Sequence, residues 1–145
     1  MENVTFFTLL PETIQGKTSK ADEEFMYYVS KAFEFAEKEN LNIVNACGVA
    51  VFEKSQTVEK YFSRLKRKST VLILSTAHIG NFDILNSFIE KQVTFLNISG
   101  EYLVSAKGMK EFWEDYVNRA KKDYPFALPY LEKLGMLDLQ KRKSL

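Results

Sequence analysis

His78 is the only histidine in this chain of 145 residues, and it sits in the run HIGNFD, which closes on Asp83. Read as His-x4-Asp, the pair has the makings of a general base and the carboxylate that orients its ring toward a hydroxyl substrate. The plain structural alternative is that His78 bonds to its own loop while Asn81 or Asp83 caps the helix that follows, positions where Asn and Asp are favoured. Glu12, Asn81, Ser99 and Glu101, with Ser105 and Lys107 nearby, are the other polar residues placed to line a binding loop. Arg64, Lys66, Arg67 and Lys68 form a basic patch. Cations there suit the negative end of a helix dipole, and a contact with a phosphate backbone would be the sharper use, with an affinity that falls steeply with salt. Ser99-Gly100 is a turn signal, since glycines are too sparse here for a phosphate-binding loop.

Cys47 is the single cysteine, which rules out an intrachain disulfide and a multi-cysteine zinc site. It lies in the apolar run IVNACGVAVF without a cationic neighbour, so a small buried residue is expected rather than a reactive thiol. No metal site and no cofactor is expected from this residue set.

An alternation of strands and helices must hold these groups. Val4–Leu10, rich in β-branched and aromatic residues, predicts a first strand that stops at Pro11. A polar loop with Gly16 follows, in which Ser19 or Asp22 could cap a helix. Asp22–Glu39 has helical period, with Phe25, Val29, Ala32 and Ala36 on one stripe and Met26 and Phe33 beside it. Asn40 ends it. Asn42–Phe52 predicts a second strand, with Gly48 as its bulge or its end. Thr57–Lys66 is a shorter amphipathic helix turning Val58, Phe62 and Leu65 inward.

The next segment, TVLILSTAHIGNFDILNSFIEKQVTFLNISGE, reads as strand, tight loop, helix, strand. Val71–Leu74 is nearly all apolar, as in a strand covered on both faces. His78 falls just past its carboxyl end, where open α/β sheets bind ligands. Phe82–Lys91 predicts a helix, Val93–Ile98 a fourth strand and Ser99–Gly108 a loop. Met109–Lys122 is a strong helix with Phe112, Trp113, Tyr116, Val117 and Ala120 as its apolar surface. If Trp113 or Tyr116 faces outward, that helix becomes a surface for self-association, because aromatic anchors dominate interfaces.

The whole predicts an α/β fold: a small doubly wound, mainly parallel four-stranded sheet with helices on both faces. One domain is expected over residues 1–124, with residues 125–145 a tail that carries a short helical pattern and the basic cluster Lys141, Arg142 and Lys143. The composition, 46% hydrophobic and 27% charged, is that of an ordinary globular domain. Its formal charge of +1 supplies no global pull toward nucleic acid or membrane. The first residues, MENVTFFTLLPET, lack the basic region of a signal peptide, and no apolar run nears the ~20 residues of a membrane span. A cytoplasmic protein with no membrane partner is the expectation.

From Val4 to about Tyr124 the order and lengths of these elements resemble the amino-terminal domain of serine recombinases, the resolvase/invertase family. FFTLLPETIQ is similar to the family's first strand and nucleophile turn. Leu9 stands where its arginine would be and Pro11 where its serine would be. STAHIGNFDILNSFIEKQ is similar to its Asp-Arg-Leu-Gly-Arg turn and helix, with Gly80 matching and with Ala77, His78 and Asn81 at the charged positions. VTFLNISGEYLVSAKGMKEFWEDYVNRAKKDY is similar to its last strand, loop and dimer-forming helix. The resemblance implies a resolvase-like fold that self-associates through Met109–Lys122. It also implies a role in DNA transactions, with DNA as a partner. Phosphoryl transfer by a serine needs guanidinium groups around the phosphate. The four arginines, Arg64, Arg67, Arg119 and Arg142, occupy none of the matched positions. A catalytically degenerate domain is therefore expected.

HIGNFD also resembles the signature of glycerolipid and lipid A-type acyltransferases. That resemblance implies His78 as base and Asp83 as its partner, although the family's later arginine-bearing motif has no counterpart here. A small-ligand-binding module at the sheet edge is the third possibility, on fold analogy alone.

Overall fold

The computed structural model describes residues 2–10, 18–50, 56–79 and 82–129. In chain order these form β1 (Glu2–Leu10), α1 (Thr18–Lys38), β2 (Leu41–Ala50), α2 (Gln56–Arg64), β3 (Thr70–Ile73), a 3-10 turn (Thr76–Ile79), α3 (Phe82–Glu90), β4 (Thr94–Asn97), β5 (Tyr102–Ser105), α4 (Ala106–Asp123) and a last 3-10 turn (Pro125–Ala127). Beyond residue 129, the helical pattern and basic cluster of the tail lie outside the described residues.

The sheet has five strands in the order β2-β1-β3-β4-β5. β1 pairs in parallel with both β2 and β3, and β3 with β4, whereas β5 returns antiparallel to β4. The fold is thus α/β with a mostly parallel sheet. The four expected strands are all present, and the expected loop over Ser99–Gly108 is corrected to a hairpin. Phe95 pairs with Val104 and Leu96 with Leu103. A four-residue turn joins them, and a Cβ at Gly100 would stand 2.4 Å from the Tyr102 ring, so any larger residue there would have to move that ring.

Side-chain alternation along β1 and β3 divides the core in two. On one face Phe7, Val71 and Ile73 pack with Tyr61 and Leu65 of α2, Phe82, Leu85 and Phe88 of α3, and Met109, Trp113 and Val117 of α4. Phe88 is the hub of this layer, with ring centroids at 5.1 Å from Phe7, 4.7 Å from Phe62 and 5.0 Å from Phe95. Burying each such ring contributes about 1.5–3 kcal/mol. On the other face Val4, Phe6 and Leu72 meet Ala32 and Ala36 of α1, with Tyr28, Val29 and Phe35 half-buried around them. Small residues at 32 and 36 let α1 lie close to the sheet.

Three expectations need correction. Met26 and Phe33 are exposed, because α1 turns Tyr28, Val29, Ala32, Phe35 and Ala36 to the sheet. On α4 the buried stripe is Ala106, Met109, Trp113, Val117 and Ala120, which leaves Phe112 and Tyr116 outside. The irregularity in β2 is at Val44, where pairing passes from Val4–Ile43 to Thr5–Asn45; Gly48 pairs regularly with Thr8 and the strand runs on to Ala50.

Candidate functional site

β1 and β3 are neighbours, yet β1 leads into α1 on one face and β3 into α3 on the other. The carboxyl ends of two such strands diverge to opposite faces, and that crevice is where open α/β sheets receive ligands. Thr8 lies near the end of β1 and His78 in the turn just after β3, so both belong to this switch point. Thr8 Oγ1 is 2.7 Å from His78 Nδ1. Thr8 is fully buried and His78 half-buried. The Tyr28 ring stands edge-on to the imidazole, with centroids 5.0 Å apart and planes at 67°. Tyr28 in turn donates its hydroxyl to Glu24, one turn earlier on α1.

Burial lowers the His78 pKa below its ordinary value and raises that of Tyr28, with the Glu24 carboxylate adding to the effect. At neutral pH the site is therefore an uncharged imidazole clamped by a buried hydroxyl and an aromatic edge. Such a group can accept or relay a proton through Nε2, which has no partner among the described residues.

Asp83 is exposed in the first turn of α3. The hydrogen-bond partner of His78 Nδ1 is the Thr8 hydroxyl rather than a carboxylate. Ser99 and Glu101 fall in the β4–β5 turn. Ser99 is tied down there: its backbone N–H and hydroxyl both donate to Asn97 Oδ1, at 3.1 and 2.9 Å. Asn97 is itself buried and donates to the Tyr102 hydroxyl at 3.0 Å. Glu101 is exposed, with its backbone at φ 51°. Ser105 caps α4 by accepting from the Gly108 N–H at 2.9 Å, so its hydroxyl serves the helix. Glu12 and Asn81 lie outside the described residues.

The basic patch is at the opposite edge of the sheet. Arg64 ends α2, and Lys66, Arg67 and Lys68 lead into the amino end of β3, so the length of that strand separates them from His78. The two groups form separate sites. Cys47 is buried, and burial pushes its thiol up to about 11, which suppresses the thiolate.

Thr8 and Tyr28 were not legible as site residues. Their partner is 70 positions from Thr8, and only the parallel pairing of β1 with β3 brings them together. Among the described residues no three His, Cys, Asp or Glu side chains are grouped to hold a metal ion, and no helix is long and apolar enough to cross a membrane. Comparison with protein-family models, with curated proteins and with solved structures found no match for this chain.

Proposed function

We propose that this chain is a resolvase-like assembly domain without recombinase chemistry, which self-associates through the outward face of α4 and acts as an accessory in DNA transactions. One observation carries the reading. α4 is apolar on two sides: its Met109–Trp113–Val117–Ala120 stripe is consumed by the core, while Phe112 and Tyr116, one turn apart, are 65% and 52% exposed. Docking of α4 on the core uses only the first stripe. Large rings in a second stripe are what a partner helix would use as anchors. The mostly parallel sheet agrees with a resolvase-like fold, and Pro11 at the family's nucleophile position, with Leu9, His78 and Asn81 at its arginine positions, supplies neither the serine nor the guanidinium groups of phosphoryl transfer.

Light scattering on gel-filtered protein over a range of concentrations tests the assembly part. A mass twice that of the chain supports it and a monomer throughout opposes it. A gel shift with duplex DNA tests the accessory part, where binding must weaken with added salt.

The second reading is a small-ligand module at the switch point, and the Thr8–His78 contact favours it. A neutral, clamped imidazole between the ends of β1 and β3 is suited to hydrogen-bonding a polar ligand. Acyl transfer by His78 and Asp83 has less support, because Thr8 holds the nitrogen that an orienting carboxylate would take.

A further inference from the structure

The bulge at Val44 opens a pocket of about 300 Å³ at the amino edge of the sheet, lined by Asn3, Thr5, Asn45, Arg64, Lys66 and Ser69 beside Val4 and Val44. Its amides and cations are oriented in one sense, while the Ser69 hydroxyl is spent on the Lys66 carbonyl. Asn3 Oδ1 is occupied by the Asn42 amide, which donates to it at 3.0 Å. Asn45 Oδ1 is occupied by the Ala46 N–H, also at 3.0 Å. With both amide oxygens engaged, the Nδ2 groups of Asn3 and Asn45 are the ends left to the pocket. Arg64 and Lys66 can only donate, and neither has an ion pair among the described residues. Thr5 forms the floor, its hydroxyl 2.6 Å from that of Tyr61. Glu2, next to Asn3 in β1, is turned to the other face, where Thr70 donates to it at 3.4 Å.

We propose that this pocket is a binding site for a phosphoryl group. Among the described residues two cations and two amides line one small cavity and no acid does, which matches a ligand that accepts hydrogen bonds and carries negative charge. The helix dipole explains a cation at the end of α2. It does not explain why two of them converge on a recess furnished with two amides whose oxygens are already engaged. The phosphoryl group has two sources, a free phosphomonoester or the phosphodiester backbone of a duplex. The site is independent of the self-association proposed for α4, and a monomer would retain it.

The test follows the side-chain amide signals of Asn3 and Asn45 in 15N–1H spectra of the full chain at low salt. One arm adds inorganic phosphate, and the other adds a short duplex without terminal phosphates. Both amide pairs are expected to shift and saturate in at least one arm. Saturation with phosphate alone assigns a free phosphoryl ligand, and saturation with the duplex assigns the backbone. The exposed pair Arg64→Gln and Lys66→Gln should weaken that binding by about tenfold or more, since charge-assisted bonds dominate such sites. Asn45→Asp, which replaces the donor with a carboxylate, should weaken it further with the remaining spectrum unchanged. Absence of any shift in both arms, or affinity unaffected by the Arg64→Gln/Lys66→Gln protein, overturns the proposal.

Discussion

Thr8 Oγ1 and His78 Nδ1 meet at 2.7 Å across the carboxyl ends of β1 and β3, and this is the one side-chain hydrogen bond that ties the His78 turn to the sheet among the described residues. Either the hydroxyl donates to a bare Nδ1 or the Nδ1–H donates to the hydroxyl oxygen. In both cases the bond fixes the ring and leaves Nε2 as its outward atom.

Thr8→Val keeps the shape of the buried side chain and removes its hydroxyl. The loss leaves a half-buried imidazole nitrogen unmatched, which costs about 1–3 kcal/mol. Urea unfolding should show that drop with an unchanged m-value. A variant as stable as the parent would mean that the contact contributes nothing.

The same burial predicts a pH effect. The folded-state pKa of His78 lies below its ordinary value near 6.5. Above that pH the ring is neutral in both states and adds no pH dependence. As the pH falls through 6.5 the unfolded chain takes up the proton first, so stability declines until the folded pKa is passed. Because the chain has one histidine, the decline between about pH 6.5 and pH 5, above the ordinary carboxylate range, belongs to it. His78→Gln should flatten stability in that window; equal slopes in the two proteins would contradict the assignment.

Much of the scaffold was legible because parallel strands buried on both faces leave runs such as VLI and VTFFT, and because α1, α2 and α3 follow one apolar period each. β5 was missed for a physical reason. Tyr102, Leu103 and Ser105 are exposed on an edge strand, so no burial pattern marks it. Val44 was passed over as the bulge in favour of Gly48, since the choice of where β2 slips is made by its pairing with β1 rather than by its own residues. Of the candidate site, His78 was legible as a lone titratable group at a strand end. Thr8 and Tyr28 were not, because one looks like an ordinary strand residue and the other like a core ring of α1.

Cys47 should resist modification. It is 2% exposed and its thiol is held at about 11. A thiol-specific reagent at pH 8 should react with the native protein slower than with the urea-unfolded chain by at least about a hundredfold, since reaction requires both opening and ionisation. Comparable rates would place the thiol at the surface.

Phe112 and Tyr116 contribute little to the monomer, so Phe112→Ser with Tyr116→Ser should leave its unfolding free energy within about 0.5 kcal/mol per site, as for other surface changes. Their loss should act on assembly instead. Sedimentation equilibrium of the parent and of this double variant, side by side at micromolar concentrations, reads that directly. The expected result is a dimer for the parent and a monomer for the variant, with equal far-UV spectra. A monomeric parent, or a variant that dimerises as well as the parent, would contradict an assembly domain built on α4.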